Sequence, residues 1–93
     1  MTTQIQDKTV KKPGGTGYEK WNVVLWNDDH NSMDGVMLAL MRIIGHNAQT
    51  ARDLMSTAHT MGSAIVYTGH KEHSEMYREQ LEAAGLTATI EKA

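Results

Sequence analysis

In the stretch VVLWNDDHNSM, Val23 to Met33, an apolar run stops at Asn27, Asp28 and Asp29, and His30, Asn31 and Ser32 add further hydrogen-bonding groups. Several chemistries use such residues. A calcium loop of the EF-hand kind needs oxygen ligands at its first and last positions and glycine at the sixth. Setting Gly35 at the sixth puts His30 first and Met41 last, so that pattern fails. A zinc site would have to join His30 and Asp28 or Asp29 to the distant His59, or use His70 and His73 at helical spacing. Such histidines on polar segments are more often plain solvated residues. A covalent nucleophile is not indicated: there is no cysteine, no Gly-x-Ser-x-Gly and no His-Glu-x-x-His. Two adjacent carboxylates could serve as acid and base, but a chain this short offers little to shield a substrate from water. The remaining chemistry is capture of a cation. Carboxylate, amide and neutral imidazole groups accept hydrogen bonds, whereas an ammonium only donates. A free protein N-terminus is such an ammonium, and its capture is a recurring mode of recognition. Each charge-assisted bond is worth about 1.5–3 kcal/mol net. Met33, Met37 and Met55 lie nearby in the sequence pattern, and methionine moulds itself around varied apolar groups. The plainer reading stands beside this one: Asn-Asp-Asp as a turn and cap, and the methionines as core filler.

These residues need elements to position them. Trp21, Val23, Val24, Leu25 and Trp26 give YEKWNVVLWN the composition of a strand that ends at Asn27. Met33, Val36, Met37, Leu40, Ile43 and Ile44 then recur at three and four residues, which predicts a helix. Asn31 is its expected N-cap, with Asp34 reaching back, and Gly45 its stop. Gly35 costs that helix about 1 kcal/mol relative to alanine, so something else must hold it. A second helix runs from an Asn47 cap to Gly62, with Ala48, Ala51, Leu54, Met55 and Ala58 apolar and His59 on the face of Met55 near its end. SAIVYT predicts a strand. GHKEHSEMYREQLEAAG predicts a third helix, with Tyr77, Leu81 and Ala84 inward and Glu72, Glu75, Glu79 and Glu82 outward. LTATIEK alternates as a closing strand. The order β-α-α-β-α-β implies an α+β fold, a small antiparallel sheet with helices on one face.

Length and charge narrow the classes further. The 93 residues make one domain. Residues 1–17 are polar, contain Pro13-Gly14-Gly15, and carry three lysines against one aspartate; they predict a flexible arm ahead of a core over 18–93. The core has six basic against ten acidic residues and shows no basic stripe, which argues against nucleic acid as a partner. No apolar run is long enough to span a membrane. The absence of cysteine suits a reducing compartment, and nothing calls for a metal or cofactor.

Taken together, VVLWNDDHNSM, ARDLMSTAHTMGSAIV and the ending TATIEKA closely resemble the ClpS family, adaptors of the ATP-dependent Clp protease. The resemblance covers residues 18–93. It implies three helices packed on a three-stranded antiparallel sheet, with residues 1–17 in the place of the family's flexible extension. It implies a non-enzymatic protein of a bacterial-type cytosol or a plastid. Such a protein binds others whose first residue is Leu, Phe, Tyr or Trp and hands them to the N-terminal domain of a Clp AAA+ ATPase. Carried over by position, Asn27, Asp29 and His59 would hold the α-amino group with Asp28 in support. Met33 would act as gatekeeper against β-branched first residues. Val36, Met55, Ala58 and Leu86 would line the side-chain pocket, with Asn31 at its mouth. The chain departs from the family pattern at Ser32, where proline is usual, at Gly35 and Ala58, where bulkier groups are usual, and at Thr60, which replaces an aromatic residue.

Overall fold

The computed structural model describes residues 19–93; the expected arm, residues 1–17, lies outside the described residues, as does Tyr18. Three strands, β1 (Trp21–Trp26), β2 (Ser63–Gly69) and β3 (Thr87–Lys92), form one antiparallel sheet in the order β2-β1-β3. Three helices complete the fold: α1 (Met33–Ala39), α2 (Ala48–Met61) and α3 (Lys71–Ala83). The order is β-α-α-β-α-β, the α+β arrangement that the periodicities predict.

The central strand carries the pattern of a sheet covered on one side. Val23 and Leu25 are buried in the main core with Ala64, Val66 and Ala88 of the flanking strands and with Leu81, Ala51 and Ala58 of the helices. Val24 points the other way and lies outside that core. It is nonetheless buried, because Ile65 and Thr89 stand opposite it on both sides. The β1–β2 register slips between Val23 and Val24, leaving Val66 as an extra residue in a bulge. The bulge turns both Val66 and Tyr67 toward the helices, where Tyr67 meets Tyr77 of α3 edge-on at 4.7 Å between ring centroids. The His46 ring N–H (Nε2) donates to the Val66 carbonyl at 2.6 Å, satisfying a group that a bulge takes out of the ladder.

The helix ends follow local chemistry, with corrections to the sequence reading. The N-cap of α1 is Ser32 rather than Asn31: its Oγ accepts the Gly35 N–H at 3.0 Å. A Cβ at residue 35 would lie 3.1 Å from that oxygen, so glycine there and serine at the cap suit one another. After Ala39 the helix widens into a π turn, Leu40–Ile44, closed by Gly45 at φ 94°. No periodicity argument predicts that widening. Leu40, the fully buried residue of this segment, anchors it, whereas none of α1 itself is fully buried. Asn47 caps α2 through its side-chain oxygen and the Thr50 N–H, and Gly62 at φ 95° ends it. Ala48 and Ala84, expected on apolar faces, are exposed at the helix ends. Conversely, Ser74 is fully buried, and its hydroxyl donates to the Trp21 carbonyl at 2.9 Å. The four glutamates expected outward on α3 are exposed, and Arg78 pairs with Glu82 and Glu79.

Candidate functional site

The end of β1 is held against the end of α2 by the backbone. The Asn27 N–H donates to the Gly62 carbonyl at 3.0 Å, and the Gly62 N–H donates to the Ala58 carbonyl at 3.0 Å. His59, three residues before Gly62 on α2, is thereby brought beside the Asn27-Asp28-Asp29 turn. A cavity of about 300 Å³ opens between this junction and the first turns of α1. Its rim carries Asn27, Asp29 and His59, all exposed. Its walls are Met33 and Val36 from α1 and Met55 and Ala58 from α2. Met33 is 47% exposed, and Ala58, at 4%, is buried, so the walls run from solvent toward the core.

Asp28 is used differently from its neighbours. Its Oδ1 accepts the backbone N–H groups of His30 at 2.8 Å and Asn31 at 3.0 Å, and the Asn31 side-chain amide reaches Oδ2 at 3.2 Å. Thr87 of β3 adds a longer contact at 3.5 Å. Partial burial pushes this carboxyl up, but the two backbone donors, the Asn31 amide and the nearby His30 more than offset it and hold it below the usual aspartate range. In contrast, among the described residues the side chains of Asn27, Asp29 and His59 make no hydrogen bond or ion pair. Asp28 therefore braces the turn, and three acceptor groups remain unspent at the cavity rim.

Of the ten residues that the resemblance implies for the amine and side-chain sites, the structure gathers all but one around the cavity, whereas Met37 and the zinc candidates His30, His70 and His73 do not line it. Leu86 does not line the cavity; it is buried in the core. The reason is the ending of α3. Gly85 adopts φ 92°, its N–H donates to Glu82 at 2.9 Å, and the Leu86 N–H donates to Leu81 at 3.0 Å. That is a Schellman ending, whose characteristic contact folds Leu86 onto Leu81. Asn31 sits at the cavity, but its amide is committed to Asp28 and to the Gly85 carbonyl at 2.7 Å. Leu25, Trp26 and Ser32 also border the cavity and were not expected there. Their adjacency to Asn27 and Met33 was the available signal. The Trp26 indole N–H donates to Thr89 Oγ1 at 2.8 Å, fixing the ring over β3. Among the described residues no three His, Cys, Asp or Glu side chains gather as metal ligands, and no helix is long and apolar enough to cross a membrane.

Fold and cavity together define a small α+β binding domain. The family model described as ATP-dependent Clp protease adaptor protein ClpS matches residues 17–89. The ATP-dependent Clp protease adapter protein ClpS of Synechococcus elongatus is 39% identical over 89 residues, covering 90% of this chain and 94% of that protein. A chloroplastic Clp protease adapter of Chlamydomonas reinhardtii, CLPS2, is 40% identical over 76 residues, 81% of this chain and 44% of its own. Among solved structures, Agrobacterium tumefaciens ClpS2 bound to L-phenylalaninamide superposes with a TM-score of 0.74 at 30% identity, covering 81% of this chain and 98% of that one. The chain belongs to the ClpS family of Clp protease adaptors. It is an adaptor and not an enzyme.

Proposed function

We propose that the cavity receives the first residue of another protein, its α-ammonium at the rim and its side chain between α1 and α2, and that this adaptor then passes the bound protein to a Clp ATPase. One observation carries the reading: the acceptors of Asn27, Asp29 and His59 are unspent, and they surround the mouth of an apolar-walled cavity of about 300 Å³. A carboxylate, an amide oxygen and an imidazole lone pair match the three donors of an ammonium. The cavity is at the small end of ligand sites, suited to one side chain rather than a whole cofactor. Bulky apolar first residues, Phe, Tyr, Trp and Leu, are the preferred class, because Met33, Val36, Met55 and Ala58 offer no polar partner inside. Ala58 leaves depth that favours the aromatic members. L-Phenylalaninamide, the ligand of the Agrobacterium relative, has a free α-amine beside a benzyl group, the same pair of features. With two or three charge-assisted bonds and one filled cavity, less the cost of association, the expected affinity is about micromolar, about −8 kcal/mol.

The test is fluorescence anisotropy with a labelled peptide beginning with Phe, the same peptide acetylated at its amine, and the same peptide beginning with Val. Strong binding of the first and large losses for the other two are expected. Equal binding of all three would leave the adaptor without selectivity for the terminal residue.

A further inference from the structure

Few apolar groups fix the N-terminal end of α1: Met33 is exposed, and Val36 and Met37 meet the core only as half-buried side chains. The helix from Met33 to Ala39 contains Gly35 and has no fully buried residue; the first is Leu40, in the π turn beyond it. Yet Met33 and Val36, on its first turns, form one wall of the cavity. Its entry is further held by polar ties that cross between distant segments. The Asn31 side-chain amide donates to the Gly85 carbonyl at 2.7 Å and to Asp28 Oδ2 at 3.2 Å, while the Asn31 backbone N–H donates to Asp28 Oδ1 at 3.0 Å. Gly85 is held in the Schellman ending of α3, which is sealed to the core through Leu81 and Leu86.

We infer that Asn31 is a positioning residue: by tying the turn before α1 to the Gly85 carbonyl it sets the distance between the α1 and α2 walls, and so decides which first side chains enter. The inference rests on the reading that the cavity takes a terminal residue. Its physical content is narrow. A side chain branched at Cβ carries its bulk next to its own backbone, at the cavity mouth, and is stiff at χ1, so its rejection requires a mouth that does not yield. The exposed Met33 end of that wall yields once its tie is cut, while Val36 stays against the core. The side chains of Asn27, Asp29 and His59 take no part in the tie, so any loosening of the grip on the ammonium falls on Phe-first and Val-first peptides alike.

The experiment measures dissociation constants for Phe-first and Val-first peptides with the full chain and with N31A, each checked by thermal melting. The wild type is expected to prefer Phe strongly. Beyond any loss of affinity common to both peptides, N31A is expected to lose about tenfold in the Phe-to-Val ratio, equivalent to about 1.4 kcal/mol of discrimination. S74A, which removes the buried hydrogen bond to Trp21 at the far end of β1, serves as the control for general loosening. It lowers the melting temperature and leaves the ratio unchanged. If N31A does not melt cooperatively, N31T replaces it, since its hydroxyl is one atom too short to reach Gly85; the same loss of ratio is expected. An unchanged ratio in the Asn31 variant, or an equal loss in S74A, overturns the inference. A wild type that does not bind the Phe peptide at all would refute the terminal-residue reading itself, before any variant is compared.

Discussion

Asp28 and Asp29 are neighbours of the same type, but Asp28 is hydrogen-bonded within its own loop while Asp29 is exposed, and the proposed roles differ accordingly, which Asp29→Asn tests. The substitution keeps an acceptor oxygen and the shape of the side chain and removes the charge. A charge pair about 4 Å apart is worth about 1 kcal/mol in bulk water and about 4 kcal/mol at the effective dielectric near a protein surface. Asp29 is exposed at an open rim, so the lower part of that range applies. About 1.4 kcal/mol is expected, a tenfold weaker grip on a Phe-first peptide. The assay is a double-mutant cycle by fluorescence anisotropy: wild type and D29N, each against the free-amine peptide and its N-acetylated form. If Asp29 faces the ammonium, the substitution matters for the first peptide and vanishes for the second. The tenfold factor should also shrink with added salt, since the screening length falls from about 10 Å at 0.1 M to about 3 Å at 1 M. Asp28→Asn should behave otherwise. Its Oδ2 would become an amide group facing the Asn31 amide, so the loss appears as a lower melting temperature and the cycle shows no specific coupling to the amine. The same loss for acetylated and free peptides in D29N would refute the assignment of Asp29 to the rim.

The other predictions concern the turn, the cavity and the arm. Because the Asp28 carboxyl is held below its unfolded value of about 3.9, it stabilises the fold above that pH, and the contribution is lost as pH falls through the lowered folded value; acid unfolding followed by circular dichroism should be less steep in D28N. Ala58→Leu puts a branched side chain into a buried part of the cavity wall: Phe- and Trp-first peptides should bind at least about tenfold more weakly, the melting temperature should fall as overpacking costs about 1–3 kcal/mol, and undiminished Phe binding by the folded variant would show that Ala58 does not bound the site. Removing residues 1–17 should spare peptide affinity yet slow degradation of a Phe-first substrate by the Clp ATPase and its protease; equal degradation rates would remove any handover role for that segment.

Much of the architecture was legible in the one-dimensional pattern. The aromatic and β-branched composition of Trp21 to Trp26, the three-four spacing from Met33 to Ile44, and the glycines at 45 and 62 located strand, helix and stops, because each is governed by contacts a few residues apart. The polar turn was legible too: three hydrogen-bonding side chains after an apolar strand bring no packing energy and so suggest a ligand or a cap. The errors arose where two local solutions compete. Asn31 and Ser32 both suit an N-cap, and Ser32 took that place because Asn31 is drawn off to Gly85, a residue far away in the chain. Leu86 was placed at the pocket by resemblance alone; the alternation with Ala88 already put both on one face, and the Schellman ending of α3 turns Leu86 into the core.

The sequence by itself determined the order of elements, the apolar faces and the presence of an acceptor-rich turn beside methionines, since these depend on residue type and short-range backbone bonding. The tertiary structure decided which acceptors remain unspent. Asp28 is consumed by its own loop while Asp29 is not, and His59 meets Asn27 only because the Asn27 N–H finds the Gly62 carbonyl across the domain. Whether a hydrogen-bonding group is satisfied depends on which distant segment packing delivers to it, and no spacing within a single segment contains that information.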